Sequence, residues 1–248
     1  MKLFTKSVST PKKDKKGSIT VILPAAGSGT RLGGVSKPLM NILGKCAIEY
    51  SLEIFERIED VTRIVISTKE EDIPKYEEII KKRGFRKIIG VISGGDTRQS
   101  SVAKAFRFAF DSVITDFVAV HDAARPLITE ESVRSAFADA KKYGCAVCAS
   151  LCPDTVKRAG GTGFVTEAVS REGLYMIQTP QVFSYDIYSA SLAIAERDGF
   201  EATDDSSLAE NAGFRIKLCD TPRDNMKITY PSDIPIAEAI LRSRKENV

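Results

Sequence analysis

Short apolar runs in this chain alternate with segments of helical periodicity, and that alternation limits the folds open to it. Runs at 19–23, 63–67, 88–92, 117–120, 146–150 and 215–219 read as strands. Amphipathic patterns at 46–56, 74–83, 99–110, 130–142, 185–197, 204–211 and 232–244 read as helices. Strand followed by helix, repeated, predicts an α/β fold: a Rossmann-like, doubly wound, mostly parallel sheet. Two helix starts are marked. Thr129 precedes Glu130 and Glu131, and Ser232 precedes Asp233, each an N-cap with acid in the first turn.

The alternation breaks at 152–183. Residues 154–158 and 163–169 look like two strands joined by the glycine-rich stretch 160–163, which predicts a protruding β-hairpin arm over 152–170. A lone hairpin is barely stable in water, so the arm needs a surface to lie on. That surface is either its own domain, with the arm as a flap, or a second copy of the chain.

With 248 residues, 43% of them hydrophobic and 28% charged, the chain suits one globular domain, 18–248, behind a disordered basic tail, 1–17. The net charge of +3 is a property of that tail. Six lysines against Asp14 alone give residues 1–17 a charge of +5, leaving −2 for the rest. A nucleic-acid-binding fold carries its positive charge on the folded body, so nucleic acid is excluded as a partner. No apolar run approaches the ~20 residues that span a bilayer, and 1–16 has no apolar segment like that of a secretory signal, so no membrane partner is expected. The odd count of five cysteines points to a reducing compartment, a bacterial cytoplasm before a plastid. Cys145 and Cys148 have C-x-x-C spacing but lie in a predicted strand, where residues three apart face opposite sides. The single histidine, His121, rules out zinc sites built on two or three histidines.

Four motifs follow predicted strands or precede the last helix. In the first, Pro24-Ala25-Ala26-Gly27-Ser28-Gly29-Thr30-Arg31-Leu32, small residues let the backbone approach a ligand and offer N–H groups to an anion, while Arg31 and Lys37 add two cations. It is neither a Walker A loop, since Gly44-Lys45 is followed by Cys46, nor a dinucleotide fingerprint, since Leu32 occupies the third small position. The second, His121-Asp122-Ala123-Ala124-Arg125-Pro126, makes Asp122 either the cap of the next turn or a hard oxygen ligand for Mg²⁺. The third, Gly94-Gly95-Asp96-Thr97-Arg98-Gln99-Ser100-Ser101, is either a plain helix cap or a base pocket, with Asp96 accepting hydrogen bonds and Ser101 able to donate or accept. The fourth, 224–229, brings Lys227 from a distant part of the chain.

Pro-Ala-Ala-Gly-x-Gly-x-Arg-Leu followed by Ser36-Lys37-Pro38 resembles the loop of the sugar-phosphate nucleotidyltransferases. Within them the chain is similar to the 2-C-methyl-D-erythritol 4-phosphate cytidylyltransferase family over about 18–241. After Lys37 that family more often has Gln and an aromatic residue, where this chain has Pro38 and Leu39. The resemblance implies transfer of CMP from CTP to a methylerythritol phosphate in isoprenoid precursor synthesis, with pyrophosphate released. It implies Arg31 and Lys37 as catalytic cations. Ala25, Ala26, Gly27, Gly29, Gly95, Asp96, Ser101 and Ala123 then bind the nucleotide. Asp122 holds Mg²⁺ or another divalent cation. Arg171 and Lys227, with Arg125, Thr155, Thr179 and Thr203, position the sugar phosphate, and a homodimer exchanges its arms. Two alternatives are a cytidylyltransferase for ribitol phosphate or another alditol phosphate, and a non-catalytic CTP-sensing regulator.

Overall fold

A computed structural model describes residues 11–27 and 36–246. In chain order the elements are β1 (Lys12–Lys13), β2 (Ile19–Pro24), β3 (Asn41–Ile42), β4 (Lys45–Cys46), α1 (Ala47–Arg57), β5 (Val61–Thr68), α2 (Ile73–Arg83), β6 (Ile88–Ser93), α3 (Arg98–Phe110), β7 (Val113–Ile114) and β8 (Phe117–Val120). They continue as α4 (Glu130–Tyr143), β9 (Cys145–Leu151), β10 (Val156–Ala159), β11 (Val165–Val169), β12 (Tyr175–Ser184), α5 (Tyr185–Asp198), α6 (Asp205–Asn211), β13 (Lys217–Asp220) and α7 (Asp233–Glu246).

Seven strands form the central sheet in the order β13-β9-β12-β8-β2-β5-β6. All neighbours pair in parallel except β12, which is antiparallel to both β8 and β9. Alternate residues of β2 feed two separate cores. Ile19, Val21 and Leu23 pack with α1 and α4 through Leu52, Phe55, Val133 and Phe137, while Ile22 packs with α3 and α5 through Val102, Phe106, Tyr188 and Leu192. This two-sided cover, from a strand whose side chains alternate between faces, is the doubly wound arrangement expected from the sequence. Cys145 and Cys148 fall in opposite cores for the same reason. The N-cap at Thr129 is present, its hydroxyl accepting the Ser132 N–H at 3.2 Å.

Two features differ from the sequence reading. Residues 175–184 carried no strand signal, yet β12 lies in the middle of the sheet. Its centre is Gln178-Thr179-Pro180-Gln181, polar residues with a proline, and the ladder with β9 slips between Ile177 and Gln181. A proline cannot donate to a ladder, and buried amides hide the usual strand pattern. The second difference is at the start. Lysine-rich composition predicts a disordered tail through residue 17, but β1 pairs in parallel with β7, Asp116 accepts the Gly17 N–H at 2.7 Å, and Asp14 accepts the Thr62 hydroxyl at 2.7 Å. Satisfied backbone groups, not net charge, decide where the domain begins; the earlier lysines lie outside the described residues.

The arm is the predicted hairpin. β10 and β11 pair antiparallel beyond the tip of the β9–β12 ladder, with Val156 opposite Val169. Residues 157–168 are all exposed, Phe164 at 78% and Val165 at 63%, so the arm does not lie over its own domain.

Candidate functional site

The sheet changes winding direction between β2 and β8, and crevices outside the carboxyl ends of such strands are where ligands of open α/β sheets bind. A cavity of about 610 Å³ opens there. Ala25, Ala26 and Gly27 enter it from the end of β2, Gly95 and Asp96 from the β6–α3 connection, Ser101 from the first turn of α3, and Asp122 and Ala123 from the end of β8. Lys37, at the start of a 3-10 turn over Lys37–Leu39, and Lys227 also line it. Motifs separated by up to two hundred residues thus share one wall. Gly29 and Arg31 lie outside the described residues.

Packing in this wall requires glycine at two adjacent positions, Gly94 and Gly95, the second because a Cβ there would sit 2.7 Å from the Ser100 Cβ. A Cβ on Gly94 would sit 2.7 Å from Ser101 Oγ and 3.0 Å from the Ala26 Cβ, so the first and third motifs touch only because Gly94 has no side chain. The Ser101 hydroxyl is buried and used inside the loop: it accepts the Gly95 N–H at 2.9 Å and donates to the Thr97 carbonyl at 2.8 Å. Asp96 is exposed and has no partner among the described residues.

Asp122 is the electrostatic centre. Its Oδ1 accepts from Arg98 Nε and Nη2, both at 3.3 Å, and its Oδ2 accepts from Lys227 Nζ at 2.9 Å and lies 3.7 Å from Arg125 Nε. Burial alone would raise the carboxyl pKa; Lys227, Arg98 and Arg125 outweigh it and hold the group well below the usual carboxylate range. Arg98 responds in kind: burial opposes its charge, but Asp205 and Asp122 raise its pKa further. Lys227 is held in place by its neighbours, since Asn225 donates to Gln178 Oε1 at 2.8 Å and the Ile228 N–H donates to the Ala124 carbonyl at 2.8 Å.

Behind Asp122 a neutral network fixes the loop. The Asp122 N–H donates to Thr179 Oγ1 at 3.0 Å, and that hydroxyl lies 3.1 Å from His121 Nδ1. Nε2 lies 3.3 Å from the Arg125 carbonyl, which can only accept, so the ring proton sits on Nε2 and Thr179 Oγ1 donates to Nδ1. The imidazole is then the neutral Nε2–H form, facing Ser51 Oγ at 3.2 Å. Complete burial pushes its pKa down to about 4, more than the nearby Asp122 charge raises it. His121 and Thr179 are thus structural supports of the Asp122 loop.

A second cavity of about 720 Å³ adjoins the first and shares Arg98, Asp122 and Lys227 with it. Arg125, Thr179 and Thr203 line it, as do Gln178, Gln181 and Asp204. Arg171 and Thr155 line neither cavity; both are exposed at the base of the arm, where Arg171 Nη1 donates to the Pro153 carbonyl at 2.9 Å. Sequence reasoning missed Arg98, Gln181 and Asp205. Arg98 stood inside a motif already singled out, and its position at the first turn of α3 was its only local signal.

Among the described residues no group of three or more His, Cys, Asp or Glu side chains gathers to hold a metal. Asp122 offers one carboxylate at the junction of the cavities. That donor set fits Mg²⁺ held by one carboxylate together with substrate phosphates, and does not fit an all-protein cage.

The model of the 2-C-methyl-D-erythritol 4-phosphate cytidylyltransferase family matches residues 19–243. A Bacillus cereus protein of that name is 36% identical over 228 residues, covering 92% of this chain and 99% of the relative. One from Rhodopirellula baltica is 39% identical over 234 residues, covering 90% and 95%. The crystal structure of 4-diphosphocytidyl-2C-methyl-D-erythritol synthase from Anaerococcus prevotii superposes with a TM-score of 0.80 at 27% identity, over 91% of this chain and 97% of that one. Those matches run the length of the sheet and through every motif around Asp122, and the chain belongs to the 2-C-methyl-D-erythritol 4-phosphate cytidylyltransferase family.

Proposed function

We propose a division of labour for this cytidylyltransferase in which CTP occupies the cavity between the first and third motifs and the sugar phosphate occupies the adjoining one. The reaction is transfer of CMP from CTP to 2-C-methyl-D-erythritol 4-phosphate. A phosphate oxygen of the acceptor attacks the α-phosphorus in line, the bond from that phosphorus to the β-bridging oxygen breaks, and pyrophosphate leaves. The observation that supports this reading is that two cavities meet at Asp122, Arg98 and Lys227, so two polyanions can be brought end to end there.

The small residues Ala25, Ala26, Gly27 and Gly29, with Ala123, let the triphosphate approach backbone. Asp96 accepts from the cytosine amine, and Ser101 keeps Gly95 in place beside the base. Arg31 and Lys37 neutralise charge that builds on the α-phosphate. Asp122 is the one protein carboxylate for Mg²⁺, which supplies charge neutralisation of the triphosphate. Lys227, Arg125 and Thr203 face the acceptor, while Thr179 acts through the Asp122 loop.

Arg171 and Thr155 reach a substrate cavity through a homodimer in which each arm lies across the other subunit. The exposed Phe164 and Val165 then gain a partner surface, and isologous pairing of this kind is the commonest oligomer symmetry. The described cysteines are free thiols, in keeping with a bacterial cytoplasm, and no described helix is long and apolar enough to cross a membrane.

Pyrophosphate release measured with CTP and a panel of acceptors tests the assignment. Release is expected with 2-C-methyl-D-erythritol 4-phosphate, not with ribitol phosphate or without acceptor, and is expected to stop when EDTA removes divalent metal. Turnover with another alditol phosphate alone, or undiminished turnover in EDTA, overturns the substrate or the metal assignment respectively.

A further inference from the structure

Arg98 lines both cavities, yet its shortest ion pair is with a residue that lines neither. Its Nη1 donates to Asp205 Oδ2 at 2.7 Å, while Nε and Nη2 face Asp122. Asp205 is 1% exposed, and its other oxygen accepts the Tyr188 hydroxyl at 2.6 Å. Tyr188 is itself fully buried among Phe106 and Phe183, with ring centroids 5.1 and 5.2 Å away. Phe106 belongs to α3, the helix that Arg98 begins, so Tyr188 and Asp205 brace that helix and its first side chain together. Both Asp205 oxygens are therefore engaged inside the protein, and none of its atoms is offered to a ligand.

The charge balance gives this buried carboxylate a purpose. Asp122 is surrounded by Arg98, Arg125 and Lys227, all three of which could collapse onto it. A guanidinium has a fixed fork, so a second carboxylate bound to one edge dictates where the other edge points. Asp205 holds the Nη1 edge at the shorter distance, 2.7 against 3.3 Å, and keeps Arg98 from turning wholly onto Asp122.

We infer that Asp205 is a positioning residue for the transfer reaction: backed by Tyr188, it sets the Arg98 guanidinium as the fixed wall between the nucleotide and acceptor cavities. The inference rests on the two-cavity assignment above. It predicts that Asp205 acts only through Arg98.

A double-mutant cycle on the full chain tests this, with kcat, both KM values and CTP affinity by calorimetry as readouts. Asp205→Asn keeps the shape but weakens the grip on Nη1, and is expected to lower kcat/KM about tenfold; Arg98→Met is expected to lower it about a hundredfold. In the double variant the Asp205→Asn loss should vanish, leaving it no worse than Arg98→Met alone. Losses that multiply, or an Asp205→Asn enzyme with unchanged kcat and KM, overturn the inference. If Asp205→Asn does not fold, Tyr188→Phe takes its place in the cycle: it keeps the charge, and its smaller loss, about threefold, should likewise disappear in the Arg98→Met background. A wild type that binds CTP but releases no pyrophosphate overturns the assigned reaction alone. The cycle is then read in CTP affinity, where additive effects refute the role of Asp205 and non-additive ones support it.

Discussion

His121 offers a direct test of whether the support behind Asp122 is buried and neutral. It is fully buried, its pKa is pushed from 6.5 to about 4, and it is the only histidine in the sequence. The unfolded chain takes up its proton as the pH falls through 6.5, whereas the folded protein does not until about 4. The folded value is depressed, so between those limits the unfolded state binds more protons and stability is lost as the pH falls. The slope is about 1.4 kcal/mol per pH unit, and the step from pH 7 to pH 5 removes about 2 kcal/mol. The carboxylates Asp116, Asp122, Glu130, Asp198 and Asp204 are lowered by the fold from ordinary values near 4, so both states keep them largely ionised at pH 5. Denaturant unfolding at the two pH values should show this loss in the wild type, and the pH dependence should largely disappear in His121→Gln, whatever that substitution costs in absolute stability. Proton NMR gives a second readout, since the single imidazole Cε1–H resonance should stay fixed from pH 8 to pH 5. An imidazole titrating near its ordinary value, or equal pH slopes in wild type and variant, would refute the neutral Thr179–His121–Ser51 network.

Asp122→Asn keeps the shape of the loop but removes the charge that Lys227, Arg98 and Arg125 surround, and turnover should fall by more than about 10²; unchanged activity at limiting Mg²⁺ would remove Asp122 from the site. Gly94→Ala places a methyl against Ser101 Oγ and the Ala26 Cβ, and such overpacking should weaken CTP binding about tenfold by calorimetry, with equal affinity counting against the contact between the two motifs. Arg171→Ala should raise KM for the sugar phosphate and leave CTP affinity almost intact; loss of CTP affinity would reverse the assigned roles. Replacing 156–168 by a Gly-Ser link should give a monomer of weak activity by light scattering, and a wild type that is monomeric yet fully active would refute the exchanged arm.

Local structure is written in short windows of the chain. Hydrophobic period separates strand from helix within a dozen residues, so β2, β5, β6, β8, β9 and β13 are legible in the sequence, as is the Thr129 cap. The glycine-rich turn at 160–163 announced the arm for the same reason, and the small-residue loops announced a ligand by leaving side chains out. The remainder follows from packing between distant segments. The strand Tyr175–Ser184 was invisible because its centre is amides, threonine and proline, and such a segment becomes a central strand only when β8 and β9 stand on either side to satisfy it. Asp122 meets Lys227 across 105 residues, and Arg98 meets Asp205 across 107, so the partners share no window that periodicity can read. Charge sites are fixed by which ends of which strands the winding order brings together. A motif can therefore state that a carboxylate follows a strand, but only the packed sheet determines that three cations surround it and that a second, buried carboxylate holds one of them in place.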